Sequence, residues 1–244
     1  MGLSFEQAEI RQGSFVLGAD LALPPEGHFA VIGPSGAGKS TLFQSLAGFI
    51  PLSRGTIRWQ GQRIDGLPPG QRPLSILFQD QNLFPHLTVA QNLGLGLDPS
   101  LRRLDWAAVE QALEAVGLAG LGPRKPSQLS GGQQSRAALA RALLRARPVL
   151  LLDEPFAALG PALKAEMLEL VARMTGDKLV LMITHDPNDA LHFAPQTLVV
   201  ANGSVQPPRA TASLLTNPPP DLAHYLGQPT RAIPARVGHA PHHP

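Results

Sequence analysis

One glycine-rich segment, GPSGAGKST at residues 33–41, constrains the fold of this chain more than any other. It contains the pattern G-x-x-x-x-G-K-[ST], preceded by the apolar residues 29–32 and followed by a helical pattern over residues 41–47 that ends at Gly48. A strand, a glycine-rich turn and a helix form the context in which this pattern binds phosphate. The glycines let backbone N–H groups surround phosphate oxygens, and the helix N-terminus adds its positive dipole end. The segment therefore predicts a nucleotide site.

The residues of this phosphate loop have separate expected roles. Lys39 brings a cation to the outer phosphates, and Ser40 offers a hydroxyl to Mg²⁺. The complete set that we expect to bind the nucleotide is Gly33, Pro34, Ser35, Gly36, Ala37, Gly38, Lys39, Ser40 and Thr41. The alternative is a strand-to-helix turn without a ligand, and the complete pattern in its expected context argues against it.

Composition and charge narrow the class of protein. With 244 residues, the chain is long enough for one large domain or two small ones. It contains no cysteine, which excludes disulfides and thiolate metal sites. The formal net charge of +2 gives no support to nucleic-acid binding. We see no apolar run as long as a membrane span and no secretory signal, so we expect a soluble globular protein.

Apolar strands that alternate with helices predict an α/β fold with a parallel sheet. From residue 87 to 147 the pattern is instead mainly helical, with Asp105 as an expected N-cap and a long helix expected over residues 134–146. Asn202 and Gly203 predict a hairpin between two short strands. Residues 228–244 are rich in Pro, Arg and His, and we expect them to form a disordered tail.

Polar residues follow three of the predicted apolar strands. Asp153 and Glu154 come after residues 149–152, Gln79 ends another strand, and His185 follows a third. Ligands bind at the carboxyl ends of parallel strands. We therefore expect Asp153 to hold Mg²⁺ and Glu154 to polarise the water that attacks the γ-phosphate. Gln79 would reach the metal and this water, and His185 would hydrogen-bond the γ-phosphate.

A second glycine-rich segment, LSGGQ, leads into the long predicted helix. It consists of Leu129, Ser130, Gly131, Gly132 and Gln133. Exposed N–H groups at a helix start form a second anion-binding site. A chain with one phosphate loop and one such helix start has two half-sites, which a head-to-tail pair of subunits would join. An ordinary glycine-rich N-cap is the alternative.

In this order, the motifs resemble those of the ATP-binding-cassette (ABC) ATPases over about residues 5–227. The resemblance implies a P-loop NTPase fold in a domain of residues 1–227. A RecA-like core with a small antiparallel β subdomain would occupy about 1–86 and 148–227, and an inserted helical subdomain about 87–147. Two copies of the chain would sandwich two ATP molecules with Mg²⁺, and each LSGGQ segment would act on the ATP of the other subunit. Closure on ATP and opening after hydrolysis would drive membrane partners between inward- and outward-facing states.

A closer resemblance lies in residues 72–97, RPLSILFQDQNLFPHLTVAQNLGLGL, which are similar to the ATP-binding subunits of bacterial thiamine importers. It implies an ATPase that energises uptake of thiamine or its phosphates from a peripheral position on the cytoplasmic face of the inner membrane. Its partners would be permease subunits and, indirectly, a periplasmic solute-binding protein, with no nucleic acid. Residues 83–97 would form much of the groove that docks the permease.

Other functions remain open at this point. The transported solute could instead be an anion, a polyamine or iron, and a soluble ABC ATPase outside transport is a further alternative. Such soluble proteins typically carry long insertions, coiled coils or two cassettes, which are not visible here. A small-molecule kinase would use the same phosphate loop, but it would not explain LSGGQ.

Three positions depart from the family pattern. Gly160 stands where the family usually has an aspartate that contacts the other subunit, so we expect weaker coupling between the two sites. The family usually stacks adenine on an aromatic residue after the first strand, and Phe15 is the candidate here. Ser135 replaces a common glutamine after LSGGQ, with little expected consequence.

Overall fold

The computed structural model describes residues 1–80, 82–219 and 222–223. Within these residues, eleven strands form one sheet and seven α-helices pack around it. The strands are β1 (Leu3–Gln12), β2 (Phe15–Leu23), β3 (Gly27–Ile32), β4 (Arg54–Trp59), β5 (Gln62–Arg63), β6 (Leu74–Leu77), β7 (Val149–Asp153), β8 (Leu179–Ile183), β9 (Gln196–Ala201), β10 (Ser204–Val205) and β11 (Arg209–Ala210). The helices are α1 (Lys39–Ala47), α2 (Val89–Leu97), α3 (Trp106–Ala115), α4 (Gly131–Leu144), α5 (Pro161–Met174), α6 (Pro187–Phe193) and α7 (Thr211–Thr216).

Five neighbouring strands form the parallel part of the sheet, in the order β9, β3, β8, β7 and β6. All of β8 is buried, and so is β7 except for its last residue, Asp153. Leu150 and Leu152 belong to a buried cluster with α4 and α5, whereas Leu151 belongs to a cluster with α1. Helices thus cover both faces, which explains why these strands read as continuous apolar runs.

The antiparallel part of the sheet consists of β1, β2, β4 and β5. β10 connects it to the parallel part, because it pairs in parallel with β2 and antiparallel with β9. This arrangement agrees with the predicted α/β fold and its antiparallel portion. The two portions share one continuous sheet, so the limits of the subdomains remain a prediction.

Three helices between β6 and β7 form the helical block. Thr88 begins α2 with a capping box, in which its hydroxyl accepts the N–H of Gln91 at 3.1 Å and the Gln91 Oε1 accepts the N–H of Thr88 at 2.9 Å. Asp105 begins α3 as predicted, and its Oδ1 accepts the N–H of Ala108 at 3.1 Å. The three helices bury a shared apolar cluster that includes Val89, Leu93, Val109, Leu113, Ala138 and Leu139.

Two helices begin earlier than the sequence pattern predicts. α4 begins at Gly131 instead of Gln134, because the side chain of Ser130 caps it. α1 begins at Lys39 instead of Thr41. In both helices the first turn contains small or polar residues that carry no apolar periodicity, so the pattern of buried residues does not reveal the start. Among the described residues, none of the helices combines the length and hydrophobicity needed to cross a bilayer.

The C-terminal part of the chain agrees with the prediction where it is described. Asn202 and Gly203 have φ values of 50° and 70° and connect β9 to β10. This left-handed pair matches the type I′ turn that an Asn-Gly hairpin requires. The predicted tail at 228–244 lies outside the described residues. Leu222 and Ala223, the last residues that the structure describes, are buried.

Candidate nucleotide site

The carboxyl ends of the parallel strands meet at one edge of the sheet. Leu77 of β6 pairs with Leu152 of β7, and Ile183 of β8 pairs with both Asp153 and Val31. The chain segments at this edge carry the predicted site residues Lys39, Ser40, Gln79, Asp153, Glu154 and His185. The topology therefore brings residues that are far apart in sequence to the same edge.

Backbone crowding explains two glycines of the phosphate loop. Gly33 has a φ of 154°, and a Cβ at this position would lie 2.0 Å from the carbonyl oxygen of Val200. Gly38 has a φ of 102°, and a Cβ there would lie 2.6 Å from the ring of Phe15. In the described part of the chain, no side chain caps α1, which follows Gly38 directly. The N–H groups of its first turn are therefore available to an anion.

The ammonium group of Lys39 closes over the loop. Its Nζ donates to the carbonyl oxygens of Gly33 at 2.8 Å and Pro34 at 2.9 Å. Burial lowers the pKa of Lys39, against the charges of Glu154 and Asp153, which raise it. A phosphate oxygen carries more negative charge than a carbonyl and forms a stronger hydrogen bond with an ammonium. Lys39 is thus placed to exchange these carbonyls for phosphate.

Ser40 and Asp153 face each other across the start of α1. The Ser40 hydroxyl donates to Oδ1 of Asp153 at 3.3 Å. Burial raises the pKa of Asp153, and the hydrogen bond from Ser40 partly opposes this change. Hydroxyl and carboxylate oxygens are hard ligands of the kind that Mg²⁺ accepts. The donor set at this position therefore fits Mg²⁺.

Glu154 follows the last residue of β7 and contacts the end of β8 and the loop after it. Its φ is 46°, a left-handed conformation that costs a non-glycine residue about 1–3 kcal/mol and that clusters at functional sites. The N–H of Glu154 donates to the carbonyl oxygen of Ile183 at 3.2 Å, and its Oε2 lies 3.3 Å from Nδ1 of His185. Backbone and side chain together place Glu154 next to His185.

A cavity of about 290 Å³ lies in front of the phosphate loop. It is lined by Gln12, Phe15, Ser35, Gly36, Gly38, Lys39, Ser40, Thr41 and Glu154. Asp153 and His185 lie outside this lining but contact its members Ser40 and Glu154. Gln79 is exposed just beyond β6 and is not part of the lining. The structure therefore places Lys39 and Glu154 at the cavity with His185 beside Glu154, whereas Gln79 lies at the same edge of the sheet and does not line the cavity.

Phe15, the predicted adenine-stacking residue, lies at the cavity together with a residue that the sequence pattern did not single out. Gln12 at the end of β1 is paired in register with Phe15 at the start of β2, and both line the cavity. Phe15 is half-buried, and its ring lies next to Gly38. Recognition of the short turn between β1 and β2 would have indicated Gln12, because paired residues share a position along the sheet.

The LSGGQ segment lies on the helical block and does not line this cavity. The Ser130 hydroxyl accepts the N–H of Gln133 at 3.3 Å, and Gln133 Oε1 accepts the N–H of Ser130 at 3.0 Å. A Cβ at Gly132 would lie 2.5 Å from Cδ2 of Leu163, so this glycine lets α4 approach α5 closely. Leu129 is buried, whereas Ser130 and Gly131 are exposed. The start of α4 thus offers its polar groups to the surface.

The chain is similar in sequence to known proteins over most of its length. The profile of a family described as ABC transporter matches residues 16–157. The thiamine import ATP-binding protein ThiQ of Cereibacter sphaeroides is 58% identical over 229 residues, which are 92% of this chain and 99% of that protein. ThiQ of Ruegeria sp. strain TM1040 is 56% identical over the same shares of the two chains. ThiQ of Photorhabdus laumondii is 42% identical over 95% of this chain and 100% of its own length.

Solved structures show the same fold. A dimeric post-hydrolysis state of the ATP-binding cassette MJ0796, bound to ADP and Pi, superimposes with a TM-score of 0.74 at 25% identity. The match covers 86% of this chain and 98% of that one. A second dimeric structure of MJ0796, described as a bacterial ABC transporter cassette, has a TM-score of 0.73 over the same shares.

Proposed function

This chain belongs to the ABC transporter family, and we propose that it is the ATP-hydrolysing subunit of an importer of thiamine or its phosphates. The observation that carries the solute assignment is the 58% identity to a thiamine import ATP-binding protein over 92% of this chain. Residues 72–97, which resemble the corresponding subunits of thiamine importers, support the same solute.

ATP would bind across the phosphate loop, with its phosphates on the N–H groups at the start of α1. Lys39 would give up its two carbonyl contacts and bind the outer phosphates. Ser40 and Asp153 would hold Mg²⁺, with Gln79 reaching the metal from beyond β6. When bound, Mg²⁺ neutralises charge that develops on the phosphates. The half-buried ring of Phe15 would stack on the adenine.

Glu154 would act as the general base. Its carboxylate borders the cavity, so it can orient the attacking water and accept a proton from it. His185 lies 3.3 Å from that carboxylate and would contact the γ-phosphate while it holds Glu154 in place. The proton moves from water to the Glu154 carboxylate as the bond between water and phosphorus forms and ADP leaves.

A second copy of the chain would complete each site. The LSGGQ segment lies outside the cavity of its own subunit, and Ser130 and Gly131 are exposed at the start of α4. In a head-to-tail dimer these groups would contact the γ-phosphate held by the partner's phosphate loop. The dimeric structures of MJ0796, one of them bound to ADP and Pi, support this arrangement.

Residues 83–97 would dock the permease at the cytoplasmic face of the inner membrane. Phe84 is 46% exposed, and Leu97 at the end of α2 is 37% exposed. The backbone of Phe84 is held by buried Asn92, whose Oδ1 accepts its N–H at 2.7 Å and whose Nδ2 donates to its carbonyl at 3.1 Å. An apolar side chain on a fixed backbone suits the docking of a permease helix. A periplasmic solute-binding protein would act indirectly, through the permease.

Reconstitution tests this function. The chain, its permease and the solute-binding protein would be combined in proteoliposomes, and ATP hydrolysis would be measured with and without thiamine. We expect thiamine to stimulate hydrolysis, and Glu154→Gln to lower it by roughly 10²–10⁴-fold. Stimulation by an anion, a polyamine or iron, with none by thiamine or its phosphates, would contradict the assignment of thiamine as the solute. The assignment as an ATPase would remain.

A further inference from the structure

A lysine on α5 is paired with two carboxylates that follow β8. Nζ of Lys164, in the first turn of α5, lies 3.2 Å from Oδ2 of Asp189 and 3.4 Å from Oδ2 of Asp186. The side chains of Lys164 and Asp189 are each only 16% exposed. A lysine buried to this extent is seldom found without a partner, so this pairing is a specific feature of the fold.

The residues on both sides of His185 are joined by hydrogen bonds that include the carboxylate of Asp189. The hydroxyl of Thr184 donates to Oδ2 of Asp189 at 3.0 Å and accepts the N–H of Asp186 at 3.1 Å. Thr184 is buried, whereas the side chain of His185 is 58% exposed and lies 3.3 Å from Glu154. The residues before and after His185 are thus anchored from the interior, and the imidazole extends from them toward Glu154.

Lys164 connects this loop to the segment that follows Glu154. That segment runs from Pro155 to Gly160, the N-cap of α5, and Lys164 lies in the first turn of this helix. A narrow cavity between the two segments is lined by residues of both, including Glu154, Lys164, Thr184, His185 and Asp189. A movement of α5 away from α6 would therefore separate Lys164 from Asp186 and Asp189.

The charge state of Lys164 suits this connection. Burial lowers its pKa, but the hydrogen bonds and charges of Asp189 and Asp186 outweigh burial, and the resulting pKa is above its usual value. The lysine therefore stays charged and keeps both contacts at neutral pH.

We propose that Lys164, with Asp186 and Asp189, is a positioning residue that fixes the loop of His185 against Glu154. The inference rests on the proposed function, because it takes His185 and Glu154 as members of the ATP site. Lys164 itself does not line the cavity in front of the phosphate loop and would not touch ATP. It would act on hydrolysis through His185.

The test combines Lys164→Met with His185→Ala in a double-mutant cycle. Lys164→Met keeps most of the length of the side chain and removes its charge. We expect it to lower kcat by roughly 10²-fold, as displacements of about 1 Å do, with little change in the KM for ATP. In the His185→Ala background the same substitution should cause no further loss, because its effect passes through His185. Lys164→Arg, which keeps the charge, should recover most of kcat.

A purely structural role predicts different results. Lys164→Met would then lower kcat by the same factor with and without His185, or it would lower the melting temperature and leave kcat unchanged. Either result overturns the proposal. If Lys164→Met does not fold, Asp189→Asn replaces it in the same cycle with the same two expectations. If His185→Ala alone leaves kcat unchanged, the assigned role of His185 fails and the inference fails with it. If the wild-type chain does not hydrolyse ATP, the proposed function fails.

Discussion

At the scale of single residues, His28 shows how burial alone can make stability depend on pH. Its Nε2 lies 3.0 Å from the Thr175 hydroxyl, and its ring stacks on Phe193 with the centroids 4.9 Å apart. Burial lowers the pKa of this half-buried imidazole, and the hydrogen bond to the Thr175 backbone opposes burial only in part. The folded chain therefore binds a proton at His28 less readily than the unfolded chain does.

Replacing His28 should flatten part of the pH dependence of stability. The usual pKa is 6.5, so the contribution of neutral His28 is complete above this value. As the pH falls below it, the unfolded chain takes up the proton first, and the free energy of unfolding decreases until the lower folded pKa is reached. Urea unfolding of wild type and His28→Gln from about pH 7.5 to about pH 5 would measure the difference in slope.

His192→Gln is the matched control for this prediction. His192 is an exposed imidazole near the end of α6, and its Nδ1 lies 2.7 Å from the carbonyl oxygen of Asn188. We expect this variant to keep the wild-type slope. Equal slopes for wild type and His28→Gln would show that His28 has no part in the pH dependence.

At the scale of elements, the start of α5 is the most informative feature. Gly160 is its N-cap with φ −64° and ψ 158°, and no side chain caps the helix among the described residues. Apart from its neighbours in sequence, a Cβ at Gly160 would meet no atom of the described residues within 4 Å. A larger residue therefore fits without strain, and the absence of the usual aspartate is not imposed by the fold of the single chain.

Gly160→Asp should strengthen coupling between the two ATP sites. The new carboxylate would be available to the other subunit and would also cap α5, with a gain in stability of roughly 0.3 kcal/mol. We expect the Hill coefficient for ATP to rise in steady-state hydrolysis assays. Gly160→Asn separates the two effects, since it should give a similar thermal stability without the charge. An unchanged rate and Hill coefficient for Gly160→Asp would refute the idea of weakened coupling.

At the scale of the whole molecule, the phosphate loop and LSGGQ belong to different surfaces of one chain. The first lies at the carboxyl edge of the parallel strands, and the second begins α4 in the helical block. Each surface presents N–H groups at a helix start, so each is suited to bind one side of a phosphate. A dimer in which the two surfaces meet would bring both helix starts to the same phosphate, and this arrangement can be tested by mixing variants.

Two inactive variants should restore activity when mixed. Lys39→Ala disables the phosphate loop, and Ser130→Arg blocks LSGGQ; each alone should lose at least about 10²-fold in turnover. Ser130→Arg should still bind ATP as an isolated subunit. A mixed dimer has one site with neither change, so equal mixing should recover roughly a quarter of wild-type turnover.

The control is a mixture of Lys39→Ala with the double variant that carries both Lys39→Ala and Ser130→Arg. No phosphate loop is intact in this mixture, so it should remain inactive. The mixture of the two single variants could also remain inactive even though the two variants form mixed dimers. That result would contradict a site formed by the phosphate loop of one subunit and the LSGGQ segment of the other.

Local features of this protein could be predicted from the sequence, because a few neighbouring residues decide them. The phosphate loop, the Asp105 cap, the Asn202–Gly203 hairpin and the buried strand before Asp153 depend on steric limits and hydrogen bonds within a few residues. The motif order also indicated the α/β fold and the ATPase. The sequence pattern predicted the start of α4 too late, because the glycines of its first turn carry no apolar periodicity.

Only the tertiary structure decided how distant residues combine. It joined the antiparallel strands to the parallel sheet through β10, placed Gln12 beside Phe15 in the cavity, and paired Lys164 with Asp186 and Asp189. These contacts depend on which apolar faces of helices and strands are buried against each other across the chain. That choice is made by the packing of the whole core, and no single segment encodes it.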